Sequence, residues 1–414
     1  MRRHDADMAG TTLQALVAFR AGLYRCFGRR ADALFELLDA LLVAGPCPSL
    51  PHLSLLAGHR RGWGSAYAAL RRGRIDAEAV GALLLRQALP PGPAVYAVDE
   101  SVWPRRDAVT SPERGFHYFP SGHHRKPVVE GWSYQWVVRL SPGRDSWTAP
   151  VDIRRVRPTE KATLVAVEQL KALAARGAAG DGVAPLFVLD AWYDAAHFAS
   201  ALAATPVALL VRLRSNRCFY GAPDPAAPPA RGRRRRDGAK FVCGDPATWP
   251  APTAAFRGVD DVYGAVEVRA WGALHTAVRR PVRPGQVGGP YRGPRQRAEG
   301  TVVRVAVERL PSRRRTPTVL WLWWQRPAGA GSIRPAELDR VWRAYVRRYD
   351  LEVVRPQVTK PGAGAGFRRG HDVPDLDVTV GDHDAVDEQL LELPALLEGP
   401  PLQADAEPRA DGGR

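Results

Sequence analysis

Three acidic residues stand at positions where carboxylates can act together. Asp99 follows the apolar run AVYAV, Asp190 follows PLFVL, and Glu352 lies in the basic stretch RAYVRRYDLE. The two apolar runs predict buried strands, each ending at its acid, and the carboxyl ends of strands in an α/β sheet form a common site. Carboxylates brought together repel one another unless a cation is present, and hard oxygen ligands suit Mg²⁺ or Mn²⁺. The pattern therefore predicts a metal site that could activate water and stabilise the leaving oxygen of a phosphodiester.

Each acid taken alone has a simpler interpretation. Asp190 could cap the helix that follows it, and Asp99 could begin a turn. The set also has a rival, a carboxylate-pair hydrolase such as a glycosidase, which needs two acids and no metal. The order of strand, strand and helix favours the metal site.

The third acid belongs to a helical pattern. Tyr345, Arg348 and Glu352 are spaced i, i+3 and i+7, which places them on one face of a predicted helix. Arg348 lies one turn from Glu352 and could steady a phosphate or that carboxylate, while Tyr345 could bond a phosphate or pack. Pro356, four residues beyond the acid, cannot continue the helix.

The elements that must position these acids change along the chain. Residues 12–88 show apolar residues three and four apart, which predicts helices; two short ones flanked by arginines fit either a DNA-docking helix-turn-helix or ordinary helical packing. After the linker ALPPGPA, strands and helices alternate through residue 213, which implies an α/β sheet. Residues 214–318 predict a β-rich insertion, and the strand TVLWLWW leads back to a helix that begins near Pro335 and Glu337.

Charge points to a polyanionic partner. The 414 residues carry a formal net charge of +16. Residues 361–414 hold 4 Arg and 12 Asp or Glu, a net of −8, so the first 360 residues carry +24. Nucleic acid is the commonest polyanion that such a surface meets. The run of four arginines at Arg233, Arg234, Arg235 and Arg236 predicts non-specific phosphate contacts, with a solvated loop as the alternative.

Composition also excludes several classes of protein. No apolar run reaches the roughly 18 residues of a membrane span, and the N-terminus lacks the apolar region of a secretory signal, which predicts a cytoplasmic protein without a membrane partner. Cys26, Cys47, Cys218 and Cys243 lack the spacing of a zinc site and are predicted to be buried thiols. The tryptophans Trp192, Trp321, Trp323 and Trp324 are predicted to pack in a core, with base stacking as the alternative.

Together these stretches resemble the DDE transposases of bacterial insertion sequences, from about residue 12 to residue 352. The resemblance is carried by YAVDES, SPERG, GWSYQWVVRL, FVLDAWYD, LLVRLRSNR, DPATWP, LWLWW and the Tyr345, Arg348, Glu352 spacing. It implies an RNase H-like mixed sheet with flanking helices and a β-rich insertion before the last catalytic helix. It also implies that Asp99, Asp190 and Glu352 hold Mg²⁺ or Mn²⁺, with Tyr345 and Arg348 beside DNA phosphates.

The same resemblance implies an activity and its partners. These are cleavage at transposon ends and strand transfer into target DNA, by a homodimer or higher multimer acting on DNA in the bacterial nucleoid. Five segments are predicted: a helical N-terminal domain at 1–90 for DNA ends, an RNase H-like core at 94–213 and 319–355, the insertion with its arginine-rich loop at 214–318, and an acidic tail at 356–414.

The chain departs from the family pattern after Glu352. The family has a lysine seven residues after the acid, whereas Thr359 stands there and Lys360, the predicted phosphate contact, comes one step later, about 80° further round a helix. Beyond it the sequence is acidic and contains no tryptophan. These features predict a disordered or frameshifted tail and a defective transposase. The alternative function is therefore a non-catalytic remnant that still binds DNA.

Overall fold

The computed structural model describes residues 2–44, 49–87, 94–118, 128–141, 148–177, 183–224, 237–276, 297–310, 319–327 and 329–349. These residues form two compact units. The first ends at Gln87, and the second contains the described residues from 94 onward.

The first unit is mainly helical, as predicted, but it also contains a small antiparallel pair of strands. Its described elements are α1 Arg2–Arg25, β1 Phe27–Arg29, α2 Ala31–Val43, α3 Leu50–Leu53, α4 Trp63–Arg72, β2 Arg74–Ile75 and α5 Ala77–Arg86. Apolar side chains one helical turn apart form its core, with Leu34 and Leu37 of α2 in one cluster with Ala66 and Ala69 of α4.

The connection between α4 and α5 is tight. A Cβ atom on Gly73 would lie 2.3 Å from the carbonyl oxygen of Ala69, so only glycine fits there. Asp76 then caps α5 by accepting a hydrogen bond from the backbone N of Ala79 at 2.9 Å. Arg71 and Arg72 are exposed at the end of α4. Ordinary packing accounts for the apolar faces of this helix pair, and its docking on DNA stays a prediction.

In the second unit, the described residues form twelve strands of one sheet. Its described elements are β3 Val95–Pro104, β4 Gly115–Tyr118, β5 Val128–Leu140, β6 Thr148–Val156, α6 Ala162–Ala175, β7 Leu186–Leu189, α7 Ala195–Ala201, β8 Ala208–Leu213, β9 Cys218–Tyr220, β10 Lys240–Val242, β11 Ala254–Asp260, β12 Gly264–Thr276, β13 Glu299–Val307, β14 Val319–Gln325 and α8 Pro335–Val346, with 3-10 turns at Pro246–Thr248 and Arg347–Tyr349.

The centre of this sheet has the order β6-β5-β3-β7-β8. Strands β3, β7 and β8 run parallel, whereas β5 is antiparallel to both β3 and β6. Each parallel step needs a long crossover, and α6 and α7 provide the helices in these crossovers. The predicted mixed sheet with flanking helices is confirmed.

The β-rich stretch continues the same sheet instead of forming a separate layer. Strand β14 pairs with β8 on one side and with β13 on the other, and β12, β9 and β10 follow in order. Trp321, Trp323 and Trp324 of β14 are buried, as the core-packing interpretation predicts. Trp271 of β12 stacks on Trp321 with 5.9 Å between ring centroids.

Two predictions from composition can be compared with the structure. Cys26 and Cys243 are buried as predicted, and burial raises the pKa of the Cys243 thiol to about 12. Cys218 is partly exposed, because β9 turns only Phe219 toward the core; Cys47 lies outside the described residues. No described helix is long and apolar enough to cross a membrane.

Helix α8 covers one face of the sheet. Pro335 occupies its first turn, and the Glu337 carboxylate accepts a hydrogen bond from the backbone N of Arg334 at 2.8 Å, as the predicted helix start requires. Leu338, Trp342 and Tyr345 pack in one cluster with side chains of β7, β8, β12, β13 and β14. The helix ends at Val346 and is followed by the 3-10 turn.

Truncation of one α8 side chain measures this packing. We expect Leu338→Ala to lower the free energy of unfolding by about 2–5 kcal/mol, because Leu338 is fully buried and the truncation leaves a cavity. Arg340→Ala, two residues along on the exposed face, should cost less than about 0.5 kcal/mol. Urea unfolding checks both values, and equal losses in the two variants would contradict this packing.

Candidate functional site

The strand register brings Asp99 and Asp190 side by side. Val98 of β3 and Leu189 of β7 form the last parallel pair of their ladder, and the two acids are the next residues on each chain. Neighbouring strands lie about 4.8 Å apart, and residues at the same level of a parallel pair point to the same face. Strand pairing therefore brings these two residues to adjacent positions where the parallel ladder ends.

Asp99 lies inside its strand. The prediction that the strand ends at Asp99 is wrong: only the parallel pairing with β7 stops there, and β3 continues to Pro104 as the antiparallel partner of β5. Asp99 is paired with Trp136 in that ladder and is 6% exposed. The alternative in which Asp99 begins a turn is also wrong.

Asp190 follows its strand directly, as predicted, and shapes the turn that comes next. Its Oδ1 atom accepts a hydrogen bond from the backbone N of Trp192 at 2.9 Å. The residue that caps α7 is Asp194, whose Oδ1 accepts from the backbone N of Ala196 at 2.9 Å and of His197 at 3.3 Å. The helix-cap alternative for Asp190 is therefore wrong.

An arginine from the far end of the unit reaches Asp99. Arg348 Nη1 lies 3.2 Å from Asp99 Oδ2, and the arginine residue is 4% exposed. Its guanidinium lies 6.0 Å from the ring centroid of Tyr345, so these two residues are neighbours as predicted. The prediction that the α-helix carries Arg348 is wrong, because α8 ends at Val346 and Arg348 belongs to the 3-10 turn that follows. Tyr345 itself is fully buried, on the face of α8 that packs against the sheet. A contact of either residue with DNA phosphates stays a prediction.

On the other face of β3, a buried polar group connects the two acids. Gln135 of β5 donates from Nε2 to the backbone carbonyl of Asp99 at 2.9 Å, and the hydroxyl of Tyr193 donates to Gln135 Oε1 at 3.0 Å. Burial, followed by the charge of Asp99, raises the pKa of Tyr193 well above its usual value, so the phenol stays a neutral donor. Sequence reasoning missed both residues, although a glutamine inside the apolar run WSYQWVVRL was an available signal.

Trp192 differs from the other tryptophans. Its side chain is 66% exposed, so the core-packing prediction is wrong for this residue. The turn at Asp190 leaves Trp192 at the surface, whereas Tyr193 is buried. Stacking of Trp192 on a displaced base stays a prediction.

The remaining predicted site residues lie outside the described residues. These are Glu352, Lys360, Arg233, Arg234, Arg235 and Arg236. Within the described ranges, no group of three or more His, Cys, Asp and Glu side chains could hold a metal ion. The described part of the chain therefore supplies two of the three predicted metal ligands.

The chemistry of these two residues fits a hard divalent cation. Asp99 and Asp190 both have carboxylate oxygens, the donors that Mg²⁺ and Mn²⁺ prefer, and they follow the last parallel pair of β3 and β7. Arg348 neutralises part of the charge of Asp99, whereas Asp190 Oδ1 accepts its hydrogen bond from the backbone N of Trp192. A cation between two such acids would relieve their mutual repulsion.

The buried ion pair can be tested by stability. We expect Arg348→Met to lower the free energy of unfolding by about 3 kcal/mol, because it leaves the buried Asp99 carboxylate without its cationic partner. In an Asp99→Asn background the same substitution should cost at least 1 kcal/mol less, on the scale of about 0.5–3 kcal/mol for coupled neighbours. Arg347→Met, one residue away, is the control. Urea unfolding of the unchanged chain, the two single variants and the double variant measures the coupling, and strictly additive losses would contradict the pair.

Comparison with known proteins identifies the family of this chain. The model of the DDE superfamily endonuclease family matches residues 22–275, a range that includes Asp99 and Asp190. No curated protein matches the chain. Among solved structures, the cryo-EM structure of the piggyBac transposase synaptic complex with hairpin DNA is similar over 80% of this chain, with 11% sequence identity and a TM-score of 0.34. This chain covers 59% of the length of that protein.

The family model spans more than half of the chain and includes both strand acids, their register partners and the turn after Asp190. The chain belongs to the DDE superfamily of endonucleases.

Proposed function

We propose that the chain is a DNA transposase that hydrolyses phosphodiesters at transposon ends and transfers the freed strand into target DNA. The observation that carries this proposal is the register of β3 and β7, which sets Asp99 and Asp190 side by side in a member of this endonuclease family. Two adjacent carboxylates on neighbouring strands suit metal-dependent phosphodiester chemistry.

The charge of the chain supports DNA as the partner. The net charge is +16, and the first 360 residues carry +24. A surface of this sign binds the phosphate backbone with little sequence preference, through the release of counterions. Lys360 and the run Arg233 to Arg236 are proposed phosphate contacts, and a homodimer or higher multimer is the proposed form on DNA.

Each residue of the site has a distinct proposed role. Asp99 and Asp190 hold Mg²⁺ or Mn²⁺, with Glu352 as the third ligand. When bound, the metal supplies activation of the attacking oxygen and stabilisation of the leaving one. Arg348 orients Asp99 by its hydrogen bond and offsets its charge, so that this carboxylate keeps one position in the buried strand.

Two other functions give different outcomes in the same experiment. A non-catalytic remnant would keep the basic surface and bind DNA without cutting it. A carboxylate-pair hydrolase would act without metal. Membership of the DDE endonuclease family supports the metal-dependent reaction over the second alternative.

A nicking assay on DNA that carries the element's terminal repeats tests the proposal. We expect cleavage that requires Mg²⁺ or Mn²⁺ and falls by more than about 100-fold in Asp99→Asn and in Asp190→Asn, since either change removes a metal ligand and with it several kcal/mol of charge stabilisation.

Asp194→Asn is the matched control, because it changes an aspartate of the same turn that caps α7 and not the site. Asparagine is also a good helix cap, so this variant should retain cleavage. Metal-independent cleavage, or equal activity in all three variants, would contradict the proposed mechanism. DNA binding without cleavage by the unchanged chain would favour the remnant.

A further inference from the structure

Gln135 and Tyr193 form a buried hydrogen-bonded pair on the face of the sheet opposite Arg348. This pair connects Asp99 to the turn that begins at Asp190. Glu100 lies directly across the ladder from Gln135, so these two side chains share a face, whereas Asp99, one residue earlier, points to the other. Gln135 is 0% exposed. Its amide holds the backbone carbonyl of Asp99 on one side and the hydroxyl of Tyr193 on the other.

The second partner of Gln135 belongs to the turn of Asp190. Tyr193 comes three residues after Asp190, and its backbone N donates to the Asp190 carbonyl at 3.4 Å. The Tyr193 ring packs edge to face on Phe198 of α7, with 5.5 Å between centroids, so the phenol has little freedom to move. A single side chain of β5 therefore connects the backbone of Asp99 to the turn that begins at Asp190.

Another contact holds Gln135 from the helix side. Gln169 of α6 donates from Nε2 to the backbone carbonyl of Gln135 at 3.2 Å. Burying an amide and a phenol inside apolar strands is costly unless their hydrogen bonds are made, and an apolar pair would fill the same space without that requirement. Packing alone does not call for this polar connection between the two acids.

We propose that Tyr193 and Gln135 are positioning residues, which fix the spacing of the Asp99 and Asp190 carboxylates for a divalent cation. The inference rests on the proposed function, because it concerns the same two acids. In this role they act through the backbone of Asp99 and the turn of Asp190, without a contact to the DNA or the metal. Partners one shell away from a metal commonly change its affinity by 10–100-fold.

Titration of the full chain with Mn²⁺, followed by electron paramagnetic resonance of the free ion, tests this role. We expect Tyr193→Phe to weaken Mn²⁺ binding by about tenfold, because the link from Gln135 to the Asp190 turn is lost. Gln135→Met should weaken it at least as much, since it removes both hydrogen bonds. The double variant should bind Mn²⁺ as tightly as the single variant with the lower affinity, because the two residues form one unit.

Tyr96→Phe is the matched control. Tyr96 is also buried, lies on β3 three residues before Asp99, and stacks on Phe187 of β7. The Tyr96→Phe variant should bind Mn²⁺ with the affinity of the unchanged chain. Thermal unfolding without metal distinguishes a positioning role from a purely structural one. If Tyr193 is a positioning residue, Tyr193→Phe should have a lower affinity for Mn²⁺ but the same unfolding midpoint as Tyr96→Phe. In the nicking assay, added Mn²⁺ should restore the rate of Tyr193→Phe.

The outcomes distinguish this inference from the proposed function. If Asp99→Asn abolishes Mn²⁺ binding while Tyr193→Phe and Gln135→Met bind as the unchanged chain does, the positioning role is overturned and the metal site stands. If the unchanged chain and Asp99→Asn bind Mn²⁺ equally, Asp99 is not a metal ligand, and the proposed function itself is contradicted. Should Tyr193→Phe not fold, the affinity of Gln135→Met decides the question alone.

Discussion

The pairing of β3 with β7 is the constraint on which the rest of the site depends. Side chains alternate along a strand, so a slip of one residue between these strands would turn one acid to the opposite face of the sheet. Val98 and Leu189 are fully buried at the end of the parallel ladder, and they hold the register that sets Asp99 beside Asp190. The positions of the two carboxylates are thus decided by apolar packing behind them.

The two faces of the sheet then serve different purposes at this point. On one face, α8 packs over the strands and its following turn presents Arg348 to Asp99. On the other, Gln135 and Tyr193 connect the backbone of Asp99 to the turn after Asp190. Asp99 is therefore held both through its carboxylate and through its carbonyl, which gives a charged group one position inside a buried strand.

Much of this architecture could be predicted from the sequence, because its signals are local. The apolar runs before Asp99 and Asp190, the alternation of strands and helices, and the start of α8 at Pro335 all follow from periodicity and end signals. The continuation of β3 past Asp99 could not be predicted, because its partner β5 lies 27 to 35 residues further along the chain. The contact between Arg348 and Asp99 could not be predicted either, because the two residues are 249 positions apart in the chain. The exposure of Trp192 depends on a turn geometry that composition does not encode.

Crystals of the chain soaked in Mn²⁺ test the central claim most directly, through anomalous diffraction at the manganese edge. A metal site built by strand register predicts an anomalous peak within about 2.0–2.6 Å of carboxylate oxygens of both Asp99 and Asp190, in the range of hard divalent ions. The peak should vanish in Asp190→Asn crystals with the sheet unchanged. A peak bound to other residues, or none near these two acids at saturating Mn²⁺, would contradict the claim.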